Sequence, residues 1–224
     1  MREHRFHVDP VGGSDRVVMA GSEAHHLRHV LRLEIGDEVT LFDGSGLEFA
    51  ARIERTGKHE IELTVVERRE VSVESPRRVS IASAVPKGDR QQVLLEKLVE
   101  LGTACWLPVE WRRSAVRPEA KSVERWRRYV IEASKQCRRN RLMEVGDPTS
   151  AVDLFDRANE PIRWLLDPSG EPIERAIVDG PDEAIVAIGP EGGIADDELE
   201  AARRHGWRVV RWGPRILRLE TAAI

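Results

Sequence analysis

The chain has 224 residues, enough for one large domain or two small ones with a buried core. Its two cysteines, Cys105 and Cys137, are too few for a disulfide framework or a zinc cluster, and no run approaches the roughly eighteen apolar residues of a membrane span. With no apolar leader at the N-terminus, these features exclude membrane-spanning and disulfide-rich classes and lead us to expect a cytoplasmic protein.

Residues 1–73 read as a small β-barrel. Arg16–Met19, Glu38–Phe42, Glu48–Ile53 and Glu60–Val66 alternate or are β-branched, with turn signals at Gly36-Asp37, Asp43–Gly46 and Thr56–Lys58 between them. One short helix interrupts the strands. Ser22 is its expected N-cap, Leu27, Val30 and Leu31 its apolar stripe, and His25, Arg28, His29 and Arg32 its opposite face. His25 and His29 stand at a spacing used by some metal sites, but no third ligand accompanies them. A solvated face, or a basic face toward RNA, is the reading, and no metal is expected.

Glu74-Ser75-Pro76-Arg77 marks the domain boundary, because proline interrupts strand pairing. From residue 76 to 224 strands alternate with helices, the signature of a mostly parallel α/β sheet covered on both faces. A strand over Arg78–Val85 leads into a helix starting at Pro86-Lys87, with Leu94, Leu95, Leu98 and Leu101 on one stripe and Gly102 after its end. Then follow a strand at Cys105–Val109, a basic helix from about Lys121 to Arg139, a short helix at 151–158, and strands at Arg163–Asp167, Ala184–Ile188 and Trp207–Trp212. The net charge of −4 hides an asymmetry within this region. From Arg112 to Arg141 eleven Lys or Arg face three acids, +8 in thirty residues, which leaves −12 for the rest. Such a run is either a solvated basic helix or the footprint of a nucleic-acid partner.

The strand Ala184–Ile188 stops at Gly189-Pro190-Glu191-Gly192-Gly193, and the strand Trp207–Trp212 stops at Gly213-Pro214-Arg215-Ile216-Leu217-Arg218. In open α/β sheets ligands sit beyond the carboxyl ends of strands, and glycines there let backbone approach a flat ligand. Two such loops within thirty residues read as two sides of one pocket, against the alternative of mere tight-turn punctuation. Asp196, Asp197 and Glu198 fill the first turn of the helix between the loops and occupy the positive end of its dipole. That makes a poor phosphate cradle, and the spacing is neither a Walker loop nor GxGxxG.

The ordered motifs Arg5-Phe6, His26–Arg32 with Gly36-Asp37, Pro86-Lys87 with Lys97 and Glu100-Leu101-Gly102, Arg113-Ser114, Arg125-Trp126, Glu132-Ala133 with Gln136 and Arg139, Ile188–Gly193, and Arg215–Arg218 with Glu220-Thr221-Ala222 cover almost the whole length. In these the chain resembles the RsmE family of 16S rRNA (uracil-N3)-methyltransferases of the SPOUT superfamily. Trp212, where a leucine is usual, Leu219, where a small or hydroxyl residue is usual, and Cys137-Arg138, in place of the commoner serine version, depart from the family pattern.

The resemblance implies a PUA-like barrel and a SPOUT domain ending in a trefoil knot, acting as a homodimer on the small ribosomal subunit with S-adenosylmethionine as cofactor. It places the cofactor among Leu166, Asp167 and Pro168, Ile188 through Gly193, and Trp212, Gly213, Arg215, Ile216 and Leu217. It nominates Arg218 to stabilise charge on the base, Glu191 or Glu220 as general base, and Arg5, Arg28, Arg32, Arg113, Lys135, Arg139 and Arg141 as RNA contacts. It also implies a terminal helix continuing past Glu220, so that further chain is expected beyond Ile224. The alternatives are another SPOUT enzyme, methylating a tRNA ribose or guanine, and a non-catalytic RNA-binding factor.

Overall fold

The structure is a computed structural model that describes residues 4–175 and 182–224. The chain divides into two compact units: one runs to Glu74 and takes in Ser134–Leu142, and the other comprises Ser75–Ala133 and Met143–Ile224.

The first unit is a five-stranded curled sheet. Its strands are β1 (Arg5–His7), β2 (Arg16–Ala20), β3 (Glu38–Phe42), β4 (Leu47–Thr56) and β5 (Glu60–Glu70), in the order β1-β3-β4-β5-β2. All pairings are antiparallel except β1 with β3. Period-two alternation puts Val17, Met19, Ile53, Ile61, Leu63 and Val65 on the inner face with Phe6, Leu41 and Phe49. Burying each large side chain there contributes about 1.5–3 kcal/mol.

The interrupting helix differs from the expected one. It begins as α1 (Gly21–His25), so Ser22 lies inside its first turn, and continues as a π-helical turn over His26–Val30, where Leu31 N donates to His26 O at 3.0 Å. A wider turn advances each residue by a smaller angle. Leu27 therefore stays fully buried while Val30 rotates outward to 62% exposure.

The segment Ser134–Leu142 is held in this first unit by buried polar groups. Arg5 Nη1 donates to Glu48 Oε2 at 2.8 Å, its Nη2 donates to Asn140 Oδ1, and its guanidinium lies 4.4 Å from the Phe42 ring centre. Asn140 Nδ2 in turn donates to Val71 O at 2.9 Å. Arg139 grips Glu74 through two hydrogen bonds, Nε to Oε1 at 2.9 Å and Nη2 to Oε2 at 2.6 Å.

The second unit is a largely parallel α/β sheet. β6 (Arg78–Ser83), β7 (Cys105–Glu110), β8 (Glu144–Val145), β10 (Ile162–Pro172), β11 (Glu183–Ile188) and β12 (Arg208–Arg211) run in the order β12-β10-β11-β6-β7-β8, while β9 (Thr149–Ser150) pairs with β7. The helices are α2 (Arg90–Glu100), α3 (Val123–Cys137), α4 (Ala151–Arg157), α5 (Asp196–Arg204) and α6 (Leu219–Ala223). α2 starts later than the sequence suggests, after a turn closed by Gln91 N donating to Gly88 O at 3.2 Å. Leu101 falls past its end and is exposed, leaving Leu94, Leu95 and Leu98 as the buried stripe.

Aromatic contacts join helices to the sheet. Trp126 of α3 meets Trp106 of β7 edge-to-face at 5.0 Å, and each indole N–H is satisfied: Trp106 donates to Ser83 Oγ at 2.9 Å, Trp126 to Gln91 Oε1 at 3.0 Å. Such a pair contributes about 0.5–1.5 kcal/mol beyond its buried area. Phe155 of α4 sits edge-on to both Trp111 and Trp207.

β10 outruns its predicted end at Asp167 by five residues, with a register break between Leu166 and Glu171 against β12. Gly170 permits this. A Cβ there would lie 2.6 Å from the Val210 backbone nitrogen and carbon, so only glycine lets the two main chains come so close.

Candidate functional site

β10, β11 and β12 are parallel neighbours, so their carboxyl ends open on one side of the sheet. The chain leaving them encloses a cavity of about 780 Å³. Leu166, Asp167 and Pro168 form one wall, Ile188 through Gly193 a second, and Trp212, Gly213, Arg215, Ile216 and Leu217 a third. The two glycine loops thus lie on the same cavity. Its walls are apolar with charges of both signs: the carboxylates of Asp167, Glu174 and Glu191, and the guanidinium groups of Arg211 and Arg215.

Two of the walls are fixed by hydrogen bonds of their own side chains or of a neighbour. Asp167 Oδ1 accepts from Ser169 N at 2.9 Å and Ser169 Oγ at 2.6 Å, closing the turn inside β10. The loop after β11 is tied to the segment following β7: Arg113 Nη1 donates to Gly192 O and to Ile194 O, each at 3.4 Å. A Cβ on Gly192 would stand 3.1 Å from both Arg113 Cβ and Arg113 O. Any side chain at this position would press on Arg113, which would have to give by a few tenths of an ångström.

Glu198 anchors the same junction from below. It is buried, and its Oε2 accepts from Ala195 N at 3.0 Å while its Oε1 accepts from Arg112 N at 2.8 Å. Asp197 meets Arg112 Nη2 at 2.5 Å. The first turn of α5 is occupied by the chain's own carboxylates, leaving no cradle for a phosphate.

The carboxylates nominated as bases meet at one cation. Arg90 Nη1, on the first residue of α2, lies 3.2 Å from Glu191 Oε1 and 3.2 Å from Glu220 Oε1. Glu220 is buried, and only its neighbours Leu219 and Ala222 reach the cavity wall. Arg218 is exposed and stands at the N-cap of α6.

The seven arginines and lysines nominated for RNA separate into two groups. Arg28, Arg32, Arg113 and Arg141 are exposed. Arg139 is only 3% exposed and holds Glu74, and the side chains of Arg5 and Lys135 are at 8% and 17% exposure against Glu48 and Glu23. Contrary to the reading of the basic run as one charged surface, Lys135 and Arg139 within it, like Arg5 outside it, neutralise internal carboxylates, because a buried charge must be paired to be tolerated.

Sequence reading also missed Pro172, Glu174, Ile194 and Arg211 in the cavity wall. Pro172 and Glu174 come in through the extension of β10, which no periodicity announced. No group of three or more His, Cys, Asp or Glu able to hold a metal occurs among the described residues, and no described helix is long and apolar enough to cross a membrane.

Residues 73–224 match the family described as RNA methyltransferase domain, and residues 20–66 match the RNA methyltransferase PUA domain. Ribosomal RNA small subunit methyltransferase E of Bacillus subtilis is 30% identical over 219 residues, covering 92% of this chain and 86% of the relative. Its counterpart in Mycobacterium tuberculosis is 31% identical over 229 residues, covering 97% and 87%. Among solved structures, a methyltransferase of Legionella pneumophila in complex with S-adenosylmethionine superposes with a TM-score of 0.92 at 32% identity, covering 100% of this chain and 94% of that one. Ribosomal RNA small subunit methyltransferase E of Neisseria gonorrhoeae, bound to S-adenosyl methionine, gives 0.90 at 29%, covering 99% and 93%. With both domain families in order along the chain and relatives aligned over nearly its whole length, the chain belongs to the RsmE family of RNA methyltransferases.

Proposed function

We propose that the chain methylates N3 of a uridine in 16S rRNA of the small ribosomal subunit, using S-adenosylmethionine. The observation that carries this reading is the convergence of three strand ends on one cavity in a chain of this family. The cavity suits the cofactor in kind: its volume lies within the roughly 300–1,000 Å³ of small-molecule sites, and its walls are mostly apolar. Carboxylates at Asp167, Glu174 and Glu191 complement a sulfonium and an ammonium, and Arg211 and Arg215 complement a carboxylate.

When bound, the cofactor supplies an activated methyl group, and the protein supplies orientation and electrostatics. The residues assigned to hold it are Leu166–Pro168, Ile188–Gly193, Trp212, Gly213 and Arg215–Leu217. Positioning N3 against that methyl is worth up to about 7–11 kcal/mol of barrier in well-aligned systems. Arg218, exposed beside the cavity, is assigned to the base carbonyls, where negative charge builds as the N3 proton leaves. Of the two nominated bases, Glu191 is in the cavity wall, whereas Glu220 is buried behind it. Proton removal is therefore assigned to Glu191 or to water that it orients.

Arg28, Arg32, Arg113 and Arg141 are assigned to phosphates. A homodimer fits the exposure of Trp212 and Ile216 on the cavity's third wall, at 58% and 89%, and the trefoil knot and a cytoplasmic location belong to the same reading. Mass spectrometry of 16S rRNA nucleosides from cells with and without the gene tests the reaction. Loss of 3-methyluridine on deletion, restored by the wild-type gene, is expected; an unchanged nucleoside profile contradicts it.

A further inference from the structure

Arg90 belongs to neither the cavity wall nor the basic run, yet it contacts two segments that build the cavity. Glu191 lies in the middle of the loop after β11. Glu220 lies on α6, which supplies Leu219 and Ala222 to the wall and packs on α2. Both carboxylate oxygens sit 3.2 Å from the same nitrogen, Arg90 Nη1. The contact to Glu191 has hydrogen-bond geometry. The one to Glu220 is ionic only, and Glu220 Oε1 is a buried oxygen with no hydrogen-bond partner among the described residues.

The two ion pairs differ in consequence. The Glu191 end is exposed, at 40% and 44%, and an ion pair there contributes little by itself. The Glu220 side chain is only 11% exposed, and without Arg90 its buried Oε1 loses the cation beside it. Two like charges held around one nitrogen also repel each other. Without the cation, the loop carrying Glu191 loses its tie to α6 and is held from its Arg113 side. The wall formed by Ile188–Gly193 is then no longer fixed against the helix that supplies Leu219 and Ala222 to the cavity.

We propose that Arg90 is a positioning residue that fixes the cofactor loop against the C-terminal helix and thereby sets cofactor affinity. It touches no substrate; it acts through Glu191 and Glu220. The inference rests on the reading of the cavity as the S-adenosylmethionine site. A pocket whose walls are already aligned loses less freedom on binding, and the difference is read as affinity.

The test uses the full chain and four proteins: wild type, Arg90→Gln, Arg90→Lys and the double variant Arg90→Gln/Glu220→Gln. Calorimetric titration gives the Kd for S-adenosylmethionine, and steady-state assays give separate KM values for cofactor and RNA. Arg90→Gln is expected to raise the cofactor Kd and KM by roughly tenfold, with the RNA KM unchanged. Arg90→Lys is expected to retain most of the affinity, because it restores a cation. The double variant is expected to bind more tightly than Arg90→Gln alone, because the buried charge that needed Arg90 is gone. Equal cofactor affinity for wild type and Arg90→Gln would overturn the inference while leaving the cofactor site intact. So would a lowered melting temperature with both KM values raised and no rescue by Arg90→Lys or the double variant. If wild type itself gives no binding heat and no thermal shift with the cofactor, the proposed function falls and takes this inference with it.

Discussion

The glycine loops and the basic stretch both stand out in the sequence, yet the structure treats them differently. The loops after β11 and β12 meet as their spacing suggests, on one cavity. The basic stretch does not act as one surface: Arg139 and Lys135 turn inward to Glu74 and Glu23, while Arg141 faces outward. The difference lies in what each pattern reports. A glycine after a strand is a statement about backbone geometry and is local. A charge count says nothing about which acid, distant in sequence, will stand opposite each arginine.

The largest expected effect separates the inward charges from the outward ones. Arg139→Met removes the partner of Glu74 in a nearly buried pair, and the first unit is expected to lose about 3 kcal/mol or more. A denaturant titration followed in that unit reads it. Stability within error of wild type would return Arg139 to the RNA surface.

Arg141→Glu is expected to do the reverse. It should leave the melting temperature unchanged and lower the slope of log K for RNA against log salt by about one for each phosphate that the side chain no longer neutralises. An unaltered slope would remove Arg141 from the RNA surface.

The smallest effect concerns pH. Burial holds the His7 imidazole below its usual value of 6.5, against the opposing pull of Glu23, Asp9 and Asp43. A group whose folded value is lowered contributes stability that is present above the unfolded value and lost as pH falls through the folded one. The first unit should therefore lose stability as pH drops below about 6.5, and His7→Phe should flatten that slope. Parallel pH profiles for the two proteins would remove His7 from the account.

Much of the fold was legible because period and punctuation act locally. Strands β2 to β5 of the first unit and the Leu94, Leu95 and Leu98 stripe of α2 follow from alternation and from 3.6-residue spacing, whereas the three-residue β1 is too short to show a period. The π-turn over His26–Val30 was not legible, since its apolar stripe fits an α-helix equally well until Val30 is seen outside. Nor was the continuation of β10 through Gly170 to Pro172. It depends on the Val210 backbone, forty residues later in the chain, and it brings Glu174 to the cavity. Arg90 was invisible for a similar reason: its role exists only where residues 191 and 220 meet.

The claim on which the rest stands is that the two glycine turns form one slot for a sulfonium cofactor. Calorimetric titration of S-adenosylmethionine into wild type and Gly192→Val tests it most directly. Valine there must displace Arg113 or move the loop, so wild type should bind one cofactor per chain and the variant at least about tenfold more weakly. Equal affinity in the two proteins, or no binding by wild type, would contradict the account.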